Sequence, residues 1–347
     1  MAGGHDLTPA EAAAALGEVF AGEATAAQVA AFIFGLRCKG ESLGEMTGLV
    51  RAMLDASVPV PVAADLRERL VDTCGTGGDR HSTINISTIA ALVVAGAGVP
   101  VCKHGGRAAS SRAGSADLLE ALGVAIELGP AGVARCIEEA GIGFCFAPTF
   151  HPAMRHAGPV RRELGVQTAF NLLGPLANPA RVRRQMVGVG DPTVAERMAL
   201  VLAANGAADA LVVHGDDGLD ELSTTGKSTV VRYRAPEDPA PVHPGPGDLE
   251  WSVVDPAALG LAPATLNDLR GGDADVNAGH ALRILDGERG PMRDVVLLNA
   301  AGGLLAGGVV ADLAQGIVTA EAAVDSGRAR ACLDRLVAVS QEAAGPD

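Results

Sequence analysis

Aromatic side chains are nearly missing from this sequence: Phe, Tyr and Trp make up 3% of 347 residues, with one Trp and one Tyr. That argues against an aromatic-rich β-sandwich. In a composition that is 48% hydrophobic and rich in alanine and glycine, it favours small-residue helices packed on a sheet. Positive charge is short as well. The formal net charge is −14, and only three basic residues are lysines: Lys39, Lys103 and Lys227. Binders of nucleic acid or membrane surfaces concentrate positive charge, so neither is expected as a partner, and an anionic ligand must meet a local cluster. The six cysteines (Cys38, Cys74, Cys102, Cys136, Cys145 and Cys332) form no CxxC pair and no regular framework. They read as reduced core residues rather than a zinc site or disulfide scaffold. No apolar run approaches the roughly 20 residues that span a bilayer, and no leader pattern opens the chain. The expectation is a soluble, cytoplasmic protein.

Two kinds of catalytic motif are also lacking. There is no GxSxG elbow, so Ser–His–Asp hydrolysis has no support. Gly226-Lys227-Ser228 imitates the end of a P-loop, but Glu221 stands where that motif requires its first glycine. Internal repeats, low-complexity tracts and long charge runs are missing too.

What is present divides by texture. The length exceeds the usual limit of a single core, about 250–300 residues, so two domains are expected. Residues 1–70 read as helices: Thr8-Pro9-Ala10-Glu11 and Thr25-Ala26-Ala27-Gln28 are capping boxes followed by apolar residues at helical spacing. From residue 71 to 347, short apolar runs (Leu70–Val71, Val99–Cys102, Gly143–Ala147, Met186–Val189 and Ala210–His214) alternate with loops and helix-compatible stretches. The fold class expected is α/β: a small all-helical domain, joined by helices from about 165–185, plus a larger α/β domain with a mostly parallel sheet. Ala235–Gly247 is too rich in proline to continue any element and marks a surface connection. The Pro/Asn-rich stretch Asn171–Pro179 reads as a rigid connection, and the tail from Val295 onward as helical.

Four stretches are candidates for chemistry, each with a plain structural or solvated reading beside it. Cys74-Gly75-Thr76-Gly77-Gly78-Asp79 follows an apolar strand and precedes a helix starting near Asn85, where glycines and helical N–H groups suit a phosphate. It lacks the third glycine and distant acid of a dinucleotide fingerprint. Lys103-His104-Gly105-Gly106-Arg107 through Gly114 is dense in N–H groups and cationic tips, equipment for an anion. His214-Gly215-Asp216-Asp217-Gly218-Leu219-Asp220-Glu221 is a carboxylate-rich loop that is either solvated or a holder of Mg²⁺, which takes hard oxygen ligands. His151 through Arg155, His156, Arg161 and Arg162 offers arginines for a carboxylate clamp.

Taken together, GTGGD, NIST, KHGGRAASS, HPAMRHAGPVRRELG with FNLLGPLANP, and VVHGDDGLDE resemble the anthranilate phosphoribosyltransferase family in order and spacing. The resemblance runs nearly end to end, from GEAT and AAFIFGLRCKGES to LLNAAGGLLAGG. It implies a homodimer formed through the helical part and an active site between the domains. The implied reaction joins anthranilate to 5-phosphoribosyl 1-diphosphate, displacing pyrophosphate with Mg²⁺ present, in tryptophan biosynthesis. It implies that Gly75, Gly78, Asp79, Thr83, Asn85, Ile86, Ser87 and Thr88 line the phosphoribosyl diphosphate. Lys103, His104, Gly105, Gly106, Arg107, Ala108, Ala109, Ser110, Ser111 and Ser115 complete the phosphate cradle. Ser87, Asp220 and Glu221 match magnesium ligands. Arg161 matches the arginine that faces the aromatic acid's carboxylate, with Gly75, His104, Gly106 and His151 nearby. No general base stands out, and positioning is expected to dominate the rate. One departure is Gly106: the family pattern reads KHGN, whose asparagine contacts the aromatic substrate, and this sequence reads KHGG. The alternatives are a related transferase for another aromatic amine or acid, a nucleoside phosphorylase, or a non-catalytic nucleic-acid binder.

Overall fold

Three of the N-terminal helices start on one local device. Thr8, Thr25 and Ser42 each accept the N–H of the residue three ahead, and Glu11, Gln28 and Glu45 return a side-chain oxygen to the cap's own N–H. Two otherwise orphaned donors are satisfied at each helix start. The computed structural model describes residues 3–77, 81–108, 112–236 and 244–345.

Helices α1 (Pro9–Ala21), α2 (Ala26–Lys39), α3 (Leu43–Asp55) and α4 (Ala64–Arg69) lead into β1 (Val71–Gly75), α5 (Ile86–Gly96), β2 (Val101–Gly105), α6 (Ser115–Ala121), α7 (Pro130–Ala140) and β3 (Ile142–Phe146). Then come α8 (Ala147–Phe150), α9 (Gly158–Leu164), α10 (Phe170–Leu176), β4 (Arg184–Gly188), α11 (Ala195–Ala204) and β5 (Asp209–Gly215). The chain continues through β6 (Ser228–Arg234) and β7 (Leu249–Val254), and finishes in α12 (Ala274–Leu285), α13 (Pro291–Ala306), α14 (Leu313–Asp325) and α15 (Arg328–Ala343). The sheet runs β3-β2-β1-β4-β5-β6-β7. The first five strands in this order are parallel, and β6 and β7 are antiparallel to their neighbours.

Three expectations need adjusting. The apolar pattern puts the second strand at Val99–Cys102; the observed β2 begins after Pro100, which has no N–H to give a ladder, and carries Lys103 and His104 inside the strand. Asn171–Leu176 is helical rather than a bare connection, with Pro175 near the end of α10 where few hydrogen bonds remain to be lost. The pair β6–β7 is an addition to the expected strands, although Val230, Val231 and Tyr233 are buried strand formers. The proline-rich connection lies partly outside the described residues.

Period-two alternation sets the two sides of the sheet. On β5, Leu211 and Val213 join a core with α5, α13 and α15, while Ala210 and Val212 join the other, with α10, α11 and the N-terminal helices. A one-residue slip would exchange the two sets, and each fully buried Leu or Val is worth about 1.5–3 kcal/mol, so the register is firmly specified. The second core is continuous from Leu16 of α1 and Leu49 of α3 through Leu173 of α10 to Val212 of the sheet. No helix among the described residues is long and apolar enough to cross a membrane.

Candidate active site

In an open parallel sheet, ligands bind beyond the carboxyl ends of the strands where strand order reverses. Here that point lies between β1 and β4, and the glycine turn after β1, the loop after β2 and the acidic loop after β5 all open on that edge. Gly75 and Gly188 end β1 and β4 opposite each other. A methyl group at Gly188 would overlap the Asp220 carbonyl, and one at Gly75 would collide with the Asp220 carboxylate. Two glycines therefore admit the acidic loop to the strand ends, and Gly188 is a partner the sequence reading did not single out.

The structure sorts the carboxylates of that loop. Asp217 is consumed internally: it accepts from Ser223 Oγ, Thr225 Oγ1 and, at 3.1 Å, Leu219 N. Asp220 and Glu221 are buried and reach across the site. Asp220 Oδ2 accepts from Gly77 N at 2.7 Å, and Glu221 Oε1 accepts from Ser87 N at 3.0 Å. Asn299 of α13 pins the loop from behind, its Oδ1 accepting from Leu222 N at 2.9 Å and its Nδ2 donating to Leu222 O at 2.8 Å. Two carboxylates, one of them held by the N–H of Ser87, which also carries a hydroxyl, offer oxygen donors of the type that suits Mg²⁺ when ligand phosphates and water complete the shell.

The glycine loop after β2 is braced by Asp117. Its Oδ2 accepts from Ala108 N at 2.9 Å and Gly114 N at 2.8 Å, and Arg107 bridges Asp117 and Glu120. Arg107 also lies 5.7 Å over the Phe146 ring, so its guanidinium is committed to bracing the loop. Ser115 Oγ donates to Gly106 O at 3.3 Å. Asn85 ties this loop to the first one by donating to Ala113 O at 2.9 Å, while Asn277 of α12 donates to Asn85 Oδ1 at 2.9 Å. Thr83 makes an isolated bridge to Arg270. Ile86 and Thr88 are buried, and their N–H groups donate to the Ile84 and Asn85 carbonyls at 2.8 and 3.1 Å. Lys103 is buried too, and its Nζ donates to the Thr73 carbonyl. Gly78, Asp79, Ala109, Ser110 and Ser111 lie outside the described residues.

Beneath Lys103 sits Asp72, fully buried, with burial raising its pKa against the opposing pull of Lys103 and the Asn178 amide. Its Oδ1 accepts from His104 N at 3.2 Å and its Oδ2 from Asn178 Nδ2 at 2.8 Å. Asp72, Asn178, Asp117, Asn277 and Asn299 are supports that sequence reasoning missed. Each meets partners distant in the chain, apart from Asp117, whose Asp-for-Glu capping pattern at Gly114 was a local signal.

The other side of the site is made of side chains. His104 and His151 meet in a tilted contact, ring centroids 5.0 Å apart and planes at 55°. Both are buried. Burial and then His151 and Lys103 push the His104 pKa down to about 3, against the raising contact with Gly174, and burial pushes His151 to about 4. Both rings are therefore neutral near pH 7. Arg161 is half-buried, 5.4 Å over the Phe170 ring, and forms no ion pair with a carboxylate among the described residues; burial lowers its pKa. A desolvated guanidinium without an acid is a strong carboxylate receptor. Gly106 faces open space: a methyl group there would find only Ala147 Cβ, at 4.0 Å.

Comparison with known proteins agrees over the whole chain. Residues 1–57 match the glycosyl transferase family helical bundle domain and residues 67–330 the a/b domain of the same family. An anthranilate phosphoribosyltransferase of Roseiflexus castenholzii is 52% identical over 338 residues, covering 97% of this chain and 95% of the relative. That of Salinispora arenicola is 51% identical over 342 residues, covering 97% and 94%. The crystal structure of the Thermus thermophilus enzyme superposes with a TM-score of 0.89 at 44% identity, covering 97% of each chain. The Saccharomyces cerevisiae enzyme in complex with PRPP and Mg superposes at 0.79 with 27% identity, covering 91% of this chain and 86% of that one. By this end-to-end likeness, and by the site that its strand ends assemble, the chain belongs to the anthranilate phosphoribosyltransferase family.

Proposed function

We propose that this chain transfers the phosphoribosyl group of 5-phosphoribosyl 1-diphosphate to the amine of anthranilate, releasing pyrophosphate, as a step of tryptophan biosynthesis. The observation that carries the reading is the seating of Asp220 and Glu221 on the backbone N–H groups of Gly77 and Ser87, at the mouth of two glycine loops. Ser87, Asp220 and Glu221 would hold Mg²⁺, which when bound supplies positive charge against the diphosphate leaving group. The remaining work belongs to the protein. The loop after β2 turns its remaining N–H groups to phosphate oxygens, while those of Gly77, Ser87 and Ala108 hold Asp220, Glu221 and Asp117 in place. Lys103 adds positive charge from below. Arg161 clamps the carboxylate of the aromatic acid, and the glycine-lined edge brings amine and anomeric carbon into line. The anomeric C–O bond breaks with its electrons on the diphosphate, and the amine lone pair makes the new C–N bond. Holding both reactants in that geometry accounts for most of the acceleration such a site can give.

The chain works as a cytoplasmic homodimer in this reading, which exposed Phe34 on α2 and Val166 beside α9 support, as do six cysteines without a disulfide. The deciding assay follows anthranilate fluorescence. Its loss must require both the phosphoribosyl donor and Mg²⁺; persistence with both present overturns the proposal. Light scattering of the purified protein checks the dimer, and a monomeric mass refutes it.

A further inference from the structure

The two ring nitrogens of His104 are in different situations. Nδ1 lies 3.1 Å from the Gly174 carbonyl oxygen. A carbonyl only accepts, so Nδ1 carries the hydrogen, and in a neutral ring Nε2 is then a bare lone pair. That Nε2 is buried and has no partner among the described residues, and the same is true of His151 Nε2. Buried acceptors are nearly always satisfied, so an unfilled pair inside a candidate site marks a place where a ligand supplies the donor. The partner is not an anion, because a lone pair repels one and Arg161 is the anion receptor. It is an N–H or O–H donor of a ligand, and two residues along the chain from His104 the backbone of Gly106 leaves open space, with only Ala147 Cβ within 4.0 Å of a methyl group placed there.

We propose that, within the transferase reaction above, His104 Nε2 accepts an N–H of the substrate's aromatic amine, aims the nitrogen lone pair at the anomeric carbon, and receives the proton that the nitrogen sheds. The bookkeeping of electrons is complete without another reactant. The amine lone pair becomes the C–N bond, the C–O pair leaves with the diphosphate, the N–H pair stays on nitrogen, and the proton passes from Nε2 to water or to the departing diphosphate. A weak base suffices, because the arylammonium formed by the attack is itself a strong acid. Burial serves this role by keeping the ring neutral until that acid is formed. The Gly174 carbonyl acts as the positioning group, since it fixes which nitrogen is bare.

The test compares two ligands that differ only in the amine. His104→Asn keeps a donor near Gly174 and removes Nε2. It should lower kcat/KM for anthranilate about tenfold or more, the loss of one well-placed hydrogen bond and its proton path. The inhibition constant of benzoate, a competitor without the amine, should change less than about twofold on the same reasoning. Equal losses for both ligands, or none, overturn the proposal. A second measurement uses the unaltered protein: imidazole ¹⁵N spectra should show His104 Nε2 unprotonated and shifted by anthranilate but not by benzoate. An Nε2–H tautomer, or an identical response to both, also overturns it. If the wild-type enzyme turns over no anthranilate, the transferase reading fails and the His104 role falls with it. Turnover with equal losses removes the His104 role alone.

Discussion

In the proposed reaction, the half of the site assigned to the phosphoribosyl donor and the half assigned to the aromatic acceptor are made of different materials. On the donor side the contacts come from backbone N–H groups, two carboxylates and strand ends stripped of side chains at Gly75 and Gly188. On the acceptor side they come from side chains: two neutral imidazoles and a guanidinium resting on Phe170. The lesson is an asymmetry of tolerance. The donor side is vulnerable to an added atom, whereas the acceptor side is vulnerable to a removed one.

The largest test of that asymmetry adds a single methyl group. Gly188→Ala forces Asp220 off the strand end and should cost at least a hundredfold in kcat/KM, about 2.7 kcal/mol of transition-state stabilisation, with a raised Mg²⁺ requirement. Near-normal kinetics would show that the acidic loop is free to move. Subtraction on the other side should be more selective. Arg161→Gln is expected to raise the KM for anthranilate about ten- to a hundredfold, the range of a lost charge-assisted bond, while titration of the donor yields an unchanged constant. A parallel loss of donor affinity would erase the distinction between the halves.

The next test is one of pH. His104 and His151 have folded pKa values depressed to about 3 and about 4, from an unfolded value of 6.5. Below 6.5 the unfolded chain takes up protons that the folded chain refuses, so their contribution to stability is intact above that pH. It is lost as the pH falls toward 4, by up to about 1.4 kcal/mol per unit for each histidine. Urea midpoints measured across this range should fall less steeply in His104→Asn than in the wild type; identical slopes would mean that His104 is not buried as described. The smallest effect belongs to Gly106→Asn. The backbone there is not left-handed and the space is open, so the side chain fits and should lower the anthranilate KM about two- to tenfold through one added hydrogen bond. A rise in KM would mean that the gap is used by the substrate itself.

Legibility in the sequence followed the range of the forces involved. The capping boxes at Thr8 and Thr25 were readable because donor and acceptor lie three residues apart, and the glycine turns after β1 and β2 because their composition is local. The direction of the Lys103 side chain was not readable: whether it points to a ligand or to the Thr73 carbonyl depends on a neighbouring strand 30 residues away. Asn277 and Asn299 were invisible for the same reason, since they act on residues 192 and 77 positions distant. Among the clustered acids of residues 216–221, only folding separates Asp217, which closes its own loop, from Asp220 and Glu221, which cross the site. The strands β6 and β7 escaped notice because the proline-rich connection between them dominates the local texture.

Helix α10 has a mechanical consequence. Phe170 supports Arg161, the Gly174 carbonyl holds His104, and Leu173 between them is wholly buried in the core shared with α1 and α3. The acceptor groups thus hang from a beam anchored in the helical bundle, while the donor cradle hangs from the sheet. Any tilt of that beam changes the gap between the two reactants.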